Sequence, residues 1–253
     1  MRVLRTMFVA LTASVMTLLL GPVVIVARML GMPQGPNAIY AWCIRTWARS
    51  IVIAAGAKIV VHGAEHLDNP NGAVFVANHV SWFDIFGLAS VVPWCSFVAK
   101  TELRKILLFG WAAEAAGIVF VDRENRKQAF ASYELAAKEV RRGRAIVVCP
   151  EGTRGTDYHL RPFKKGPFVL AIAAQTPVIP TVVHGTIEIM PKGTFWIQGG
   201  HTIDLHFLAP VSTIGCDYEH RTEIMTNTWN AMAESLRDTY GAQTSEHPVA
   251  NQG

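Results

Sequence analysis

The sequence predicts an α/β fold, a mixed and mainly parallel sheet flanked by helices, preceded by an N-terminal membrane-anchoring helical segment. Short apolar runs alternate with longer helical patterns from residue 57 onward, and this alternation is typical of parallel sheets whose strands are joined through helices. The charged fraction is 17%, against about 25% in an ordinary soluble domain. The mean hydropathy is also positive, which favours a lipid-facing part.

The N-terminal segment is the first that the sequence singles out. Residues 6–27 carry no formal charge and are rich in Leu, Val and Ile. About 20 such residues cross the hydrocarbon core of a bilayer, so this stretch is long enough for one span. A secretory signal peptide is the alternative, because Arg2 and Arg5 resemble a basic n-region. The apolar run is unusually long for a signal peptide, however, and no convincing Ala-x-Ala site follows.

A second stretch, residues 38–56, combines Tyr, Trp and Ile side chains with Arg45 and Arg49. This mixture is expected of an interfacial helix whose aromatic rings lie at headgroup depth. The two stretches could instead form a helical hairpin that dips into one leaflet, and the sequence does not separate these arrangements. Residues 1–56 are therefore predicted to be a membrane helix or a helical hairpin.

Residues 57–241 are predicted to form the α/β domain, followed by a disordered tail at 242–253, which is polar and rich in small residues. Apolar runs predict strands at 58–61, 73–77, 96–99, 118–121, 145–149, 178–183 and 203–207. Helical patterns lie at 83–91, 105–116, 125–142, 168–175 and 220–240. Gly143 is expected to close the third of these helices.

Composition also argues against several classes of protein. The formal charge of +4 would suit nucleic acid or an anionic bilayer surface. The hydrophobic fraction of 51% favours the bilayer, and no RNP-like motif, zinc-finger spacing or basic arm supports nucleic acid. The cysteines show no CxxC or Cys/His spacing, which predicts reduced thiols rather than a zinc site or a disulfide framework. They are Cys43, Cys95, Cys149 and Cys216.

Two candidate site residues follow the predicted strand 73–77. His79 lies just beyond the strand end, where ligand sites in α/β sheets usually open. His79 and Asp84 would not share a face of one helix, so their contact requires a turn between them. If they meet, Asp84 can accept the proton of one ring nitrogen, and the other nitrogen can remove a proton from a hydroxyl. Taken alone, the pair is more often a helix cap and a first-turn acid.

Two further predicted strands are followed by a cation. Arg123 comes after strand 118–121, and Arg154 ends the polar turn after strand 145–149. In a parallel sheet both cations would lie at the same edge as His79, where two guanidinium groups could clamp one phosphate. The residues that follow, Arg161, Lys164 and Lys165, would make the electrostatic potential at this edge more positive. Each cation taken singly is more often a solvated surface charge.

Together these segments resemble the glycerolipid acyltransferase family, specifically the 1-acyl-glycerol-3-phosphate acyltransferases, which carry four ordered blocks. The blocks here are Asn78-His79-x-Ser81-x-x-Asp84, Gly117-x-x-Phe120-Val121-x-Arg123, Glu151-Gly152-Thr153-Arg154 and Thr176-Pro177-Val178-Ile179-Pro180. Their order and spacing fit from about residue 60 to residue 183. Cys149 departs from the family, which usually has an aromatic or apolar residue there, but it remains compatible with a strand.

The resemblance implies transfer of a fatty acyl group from acyl-CoA or acyl carrier protein to the sn-2 hydroxyl of lysophosphatidic acid, giving phosphatidic acid. His79 would be the general base and Asp84 its partner, with no cofactor and no metal. The residues implied in substrate binding are Arg123, Glu151, Gly152, Thr153, Arg154 and Lys164. The alternative acceptors are another lysophospholipid, a lyso-aminolipid or glycerol 3-phosphate. Because both donors are cytoplasmic, the domain is expected to face the cytoplasm from the inner membrane.

Hypotheses that assign the chain to another class of protein have weaker support. The segment His62-Gly63-Ala64-Glu65-His66 matches the His-x-x-Glu-His pattern of zinc metalloproteases, which needs both His on one helical face. Here the pattern follows a predicted strand and contains Gly63, so we expect a turn instead of a helix. The Gly-x-Ser-x-Gly elbow of serine hydrolases does not occur in the chain. A non-catalytic membrane-binding module would leave the four blocks unexplained.

Overall fold

The structure is a computed structural model, which describes residues 1–69, 71–121 and 134–243. Its strands are β1 (Lys58–His62), β2 (Ala73–Ala77), β3 (Cys95–Lys100), β4 (Val119–Val121), β5 (Ala145–Val148), β6 (Val178–His184) and β7 (Thr202–Phe207). Its α-helices are α1 (Arg2–Met29), α2 (Ile39–Ala54), α3 (Trp82–Val91), α4 (Phe109–Ala116), α5, described over residues 134–140, α6 (Gly166–Ala174) and α7 (Arg221–Tyr240). Every predicted strand is confirmed to within one residue at each end.

Within the described residues the strands form a 7-stranded sheet in the order β1-β7-β6-β2-β5-β3-β4. Hydrogen-bonded neighbours run parallel except β6 and β7, which are antiparallel. The predicted mixed, mainly parallel sheet is therefore confirmed. The carboxyl ends of β2 to β6 all lie at one edge of the sheet, which we call the carboxyl edge, and ligand sites of α/β proteins open at such an edge.

The central strand β2 is buried along its whole length and divides the core into two layers. Phe75 packs in one apolar cluster with Ile51 of α2 and Leu88 of α3. Val74 packs in the other cluster with Trp229 of α7. A strand covered on both faces is a continuous apolar run in sequence, which is why its position was predictable from the sequence.

The helices α1 and α2 form a hairpin that packs against the rest of the chain. Trp47 Nε1 in α2 donates to Thr17 Oγ1 in α1 at 3.0 Å. Near the amino end of α1, Ile197 N donates to Thr6 Oγ1 at 2.9 Å. Further along, Gly21 faces Ala112 of α4. Among the described helices, α1 is the one long and apolar enough to cross a membrane, so it is a candidate membrane anchor.

The prediction of a helix at 105–116 is wrong for its first four residues. The α-helix α4 begins at Phe109, and residues Thr101–Lys105 form a separate 3-10 turn. Leu108 has φ +62° and ψ −49°, a non-helical conformation that separates the 3-10 turn from α4. The helix predicted at 125–142 lies partly outside the described residues. Gly143 follows its described part with φ +93°, the conformation expected of a residue that closes a helix. Most of the predicted tail, residues 244–253, also lies outside the described residues.

Arg144 joins several elements beneath the opposite edge of the sheet. Its side chain is fully buried, and Nη1 donates to the carbonyl of Ala116 at 2.8 Å. Nη2 donates to Gln34 Oε1 in the α1–α2 connection, and Nε lies 3.2 Å from Glu139 Oε2. The guanidinium carbon lies 5.0 Å from the centre of the Trp94 ring. Burial lowers the pKa of Arg144, but these partners compensate much of the cost of burying a charge.

Replacing Arg144 should therefore destabilise the fold much more than replacing its neighbour Arg142. We expect Arg144→Leu to lower the free energy of unfolding by about 3 kcal/mol, because it leaves buried acceptors unpaired. Arg142 also contacts Glu139, at 2.7 Å, but 71% of its side chain is exposed. Arg142→Leu should cost less than about 1 kcal/mol. Urea unfolding in detergent micelles measures both; equal losses would contradict a structural role for the buried cation.

Candidate functional site

The candidate site forms where β2 ends at the carboxyl edge. The chain turns through residues 78–81, and α3 begins at Trp82. This turn brings His79 Nδ1 to 2.8 Å from Asp84 Oδ2. The Asp84 side chain is fully buried, whereas 18% of the His79 side chain is exposed. The contact that the sequence allowed only through a turn is thus present, and Nε2 is the ring nitrogen left for a substrate.

The Asp84 carboxylate is also held by the start of α3. Oδ2 accepts from the backbone N–H of Val80 at 2.7 Å and of Ser81 at 2.8 Å. The Ser81 hydroxyl accepts from Phe83 N at 3.2 Å, so Ser81 and Asp84 form a capping box at this helix end. Asp84 is thus both a first-turn acid of α3 and the partner of His79, whereas the residue that caps this helix is Ser81 and not His79.

A second strand end, that of β6, is fastened to the same turn. Asn78 Nδ2 donates to the Val183 carbonyl at 2.9 Å, and Val183 N donates to Asn78 Oδ1 at 2.7 Å. Gly185 has φ +84°, and a Cβ there would lie 1.9 Å from the Thr202 carbonyl oxygen. Only glycine fits this turn, which directs the chain after β6 back across α3.

Thr186 lies just beyond this glycine and contacts the dyad directly. Its side chain is fully buried, and Oγ1 donates to Asp84 Oδ1 at 2.5 Å. The Thr186 carbonyl accepts from Met190 N at 3.1 Å, and the Met190 carbonyl accepts from Ser81 Oγ at 2.7 Å. Thr186 was not among the predicted site residues, because no spacing rule links it to a residue 102 positions earlier.

Glu151 supports the other side of His79. Its side chain is only 2% exposed, Oε1 accepts from His79 N at 3.0 Å, and Oε2 lies 3.9 Å from Arg161 Nη1. Burial raises the pKa of Glu151 to about 8, although the His79 N–H and the charge of Arg161 both act to lower it. The carboxyl group thus points inward to the backbone of His79. Contact between Glu151 and a substrate stays a prediction.

The third block and the segment after it carry the cations Arg154 and Lys164. Gly155, which directly follows the block, donates from its N–H to the His79 carbonyl at 2.7 Å and so joins this segment to the dyad. The guanidinium carbon of Arg154 lies 5.1 Å from the centre of the Trp82 ring. Gly152 has φ +76°, and a Cβ there would lie 2.9 Å from Lys164 Nζ, so Lys164 lies over this glycine. Thr153 and Lys164 are exposed. Arg123 lies outside the described residues, and its role in clamping a phosphate stays a prediction.

The His-x-x-Glu-His segment lacks the helix that a metalloprotease needs. His62 ends strand β1, Gly63 has φ +70°, and Ala64–His66 form a 3-10 turn. The His62 ring stacks on His206 with centroids 4.2 Å apart instead of turning toward His66. Among the residues that the structure describes, no cluster of His, Cys, Asp and Glu has the arrangement of a metal site. The predicted turn is confirmed.

Comparison with known proteins points to one family. The family model described as Acyltransferase matches residues 58–184, about half of the chain. The chain is 36% identical over 153 residues to a chloroplastic 1-acyl-sn-glycerol-3-phosphate acyltransferase of Brassica napus, a match that covers 59% of this chain and 44% of that one. It is 29% identical over 220 residues to the 1-acyl-sn-glycerol-3-phosphate acyltransferase of Saccharomyces cerevisiae, covering 85% and 72%. The chain thus spans less than half the length of the Brassica relative.

A solved structure extends the similarity to the fold as a whole. The crystal structure of the 1-acyl-sn-glycerophosphate acyltransferase of Thermotoga maritima matches with a TM-score of 0.76 and 25% identity. The match covers 93% of this chain and 96% of that one. The similarity therefore includes the N-terminal helices as well as the sheet.

Removing the Thr186 hydroxyl should weaken the catalytic activity of the dyad without unfolding the protein. We expect Thr186→Val to lower kcat/KM about tenfold, because a buried carboxylate loses one charge-assisted hydrogen bond. The acid limb of the pH profile should also move, and Thr186→Ser, which keeps the hydroxyl, should restore it. Thr181→Val is the matched control: Thr181 is fully buried in β6, and its hydroxyl donates to the Ile179 carbonyl. Equal effects of Thr186→Val and Thr181→Val would contradict this role.

Glu151 should make stability depend on pH. Because its pKa rises to about 8 in the fold, the folded chain keeps a proton that the unfolded chain releases above about pH 4.5. Its contribution to the free energy of unfolding therefore falls as pH rises from about 4.5 to about 8. Glu151→Gln removes this term, so the variant should gain stability relative to wild type across that window and no further above it. Urea midpoints at several pH values measure this.

The matched control for that series is Glu219→Gln, because 82% of the Glu219 side chain is exposed. Its urea midpoints should run parallel to those of wild type at every pH. A constant offset between Glu151→Gln and wild type would show that Glu151 does not hold a proton in the fold.

Proposed function

Because this chain belongs to the acyltransferase family, we propose that it transfers a fatty acyl group from a thioester to the sn-2 hydroxyl of lysophosphatidic acid, giving phosphatidic acid. The observation that carries the proposal is the 2.8 Å contact of His79 Nδ1 with Asp84 at the carboxyl edge. The relatives from Brassica napus and Saccharomyces cerevisiae are 1-acyl-sn-glycerol-3-phosphate acyltransferases. Arg154 packs over Trp82 at the start of α3, and Lys164 lies over Gly152, the residue after Glu151. These two cations would bind the acceptor's phosphate.

The chemistry follows from the free ring nitrogen. His79 Nε2 takes the proton of the acceptor hydroxyl as its oxygen attacks the thioester carbonyl carbon. A C–O bond forms, the C–S bond breaks, and the proton passes from His79 to the departing thiolate. Asp84 keeps the other ring nitrogen protonated and stabilises the imidazolium that exists between these steps. No covalent enzyme intermediate is required.

The surrounding contacts supply orientation. Glu151 and Gly155 hold the His79 backbone on its N–H and its carbonyl, which fixes where the imidazole begins. The cations hold the phosphate of the acceptor, so its hydroxyl meets Nε2 in one geometry. Acyl-CoA and acyl carrier protein both present a thioester, and either serves this mechanism. The thioester carries its own leaving group, so the reaction draws on no cofactor.

We propose further that α1 and α2 anchor the chain in one leaflet. The Thr6–Ile197 bond and the contact of Gly21 with Ala112 tie both halves of α1 to the α/β part. A helix held in this way cannot cross to the far side of the bilayer while the domain stays on the near side. The outer face of α1 carries exposed apolar side chains: Val3, Leu4, Met7, Phe8, Leu11, Leu18, Leu19 and Val26. We propose that the domain faces the cytoplasm, because both acyl donors are found there.

Purified protein in liposomes tests the function. Radiolabelled acyl-CoA and acyl carrier protein are supplied with lysophosphatidic acid, glycerol 3-phosphate or neutral lyso-lipids. Wild type should form phosphatidic acid, and His79→Ala should lose at least about a hundredfold in rate, because it lacks the base. His66→Ala is the control, since His66 lies in the 3-10 turn after β1 and contacts Glu65 instead of the dyad. Transfer to another acceptor alone would change the substrate, and equal rates for His79→Ala and wild type would exclude the mechanism.

A further inference from the structure

A short loop beyond the fourth block has an unusual distribution of apolar side chains. Gln198 N donates to the Ile189 carbonyl at 2.9 Å and closes residues 190–197 into a loop, here called the aromatic loop. At its base Ile189 and Ile197 are buried in the core. At its tip Phe195 is 84% exposed and Trp196 is 52% exposed. The base is therefore fixed, while two aromatic side chains point away from the protein.

The aromatic loop adjoins the amino end of α1. Ile197 N donates to Thr6 Oγ1 at 2.9 Å, and Arg2 Nη2 donates to Gln198 Oε1 at 3.1 Å. On the flanks of α1 next to Thr6, Val3 is 51% exposed and Met7 is 63% exposed. Exposed apolar side chains of the loop and of the candidate anchor therefore lie at the same end of the molecule. Contiguous exposed apolar surface of this kind marks an interaction site and is rarely left to water.

The charged residues around the aromatic loop indicate which kind of surface it binds. Residues 190–200 contain Lys192 and no acidic residue, and Arg2 and Arg5 flank the loop on α1. The Arg5 guanidinium packs against Gly199. Aromatic rings next to basic side chains suit the headgroup layer of an anionic bilayer, where the rings enter the acyl boundary and the cations meet phosphates.

The base of the same loop contacts the candidate site. The Met190 carbonyl accepts from Ser81 Oγ at 2.7 Å, at the start of α3. Lys192 Nζ donates to the Arg154 carbonyl at 2.8 Å. The loop is thus a direct connection, a few residues long, between an exposed aromatic tip and the residues around His79.

We propose that the aromatic loop inserts Phe195 and Trp196 into the interface of an anionic phospholipid bilayer beside α1. The dyad and Arg154 are thereby held at headgroup level. A lysolipid can then keep its acyl chain in the bilayer while its phosphate reaches Arg154. The insertion itself does not require acyl transfer, whereas its consequence for substrate entry rests on the proposed function.

Fluorescence of the wild type and Trp196→Phe in vesicles containing phosphatidylglycerol tests the insertion. The difference between the two proteins isolates Trp196 among the 7 tryptophans of the chain. Lipids brominated on the acyl chains should quench this difference signal, and aqueous iodide should not. Quenching by iodide and not by brominated lipid would place Trp196 in water and overturn the proposal, whatever the enzymatic activity.

Steady-state kinetics test whether the inserted loop helps the lysolipid substrate to enter the site. The double variant Phe195→Ser/Trp196→Ser should raise the apparent KM for lysophosphatidic acid in vesicles about tenfold, because two apolar anchors are lost. Turnover of a short-chain, water-soluble acceptor should be unchanged. Ile214→Ser is the matched control, since Ile214 is 77% exposed and lies next to Thr213, which contacts α6. An unchanged KM in vesicles would overturn the role in entry, whereas a wild type without any transfer would instead refute the proposed function.

Discussion

The site depends on one buried carboxylate, that of Asp84, being fully supplied with hydrogen-bond donors. An anionic side chain without exposed surface is costly unless each lone pair finds a partner. Here the partners are His79, the backbone N–H groups of Val80 and Ser81 just before α3, and Thr186 after β6. Satisfying this group therefore fixes the His79 ring, the start of a helix and a distant turn at once. The geometry of the proposed base is a consequence of that requirement.

The parallel sheet makes this convergence possible. Glu151 contacts His79 across 72 positions of sequence, and Val183 contacts Asn78 across 105. Both contacts form because β2, β5 and β6 end at the same edge. The chain after β6 then continues into the aromatic loop, whose base contacts both Ser81 and α1. The same edge thus connects the dyad with the part of the molecule that faces lipid.

Much of the fold could be predicted from the sequence, because periodicity records burial. Strand β2 is covered on both faces and is a plain apolar run. The start of α4 depends instead on the positive φ of Leu108, which no periodicity records. The blocks that contain His79 and Glu151 predicted the family, and the comparisons confirm it. They did not predict Thr186 or the inward direction of Glu151. Both depend on how β6 and β5 register against β2, a long-range property that local spacing does not encode.

In the proposed mechanism, Asp84 holds a proton on His79 Nδ1 and leaves Nε2 as the base. Nitrogen-15 NMR of protein labelled at histidine reports the tautomer directly, and a spectrum of His79→Gln identifies His79 among the 9 histidines. At about pH 8.5, where an ordinary imidazole is neutral, we expect a protonated Nδ1 and an unprotonated Nε2. A proton on Nε2 instead would leave His79 unable to accept one from the substrate and would exclude this mechanism.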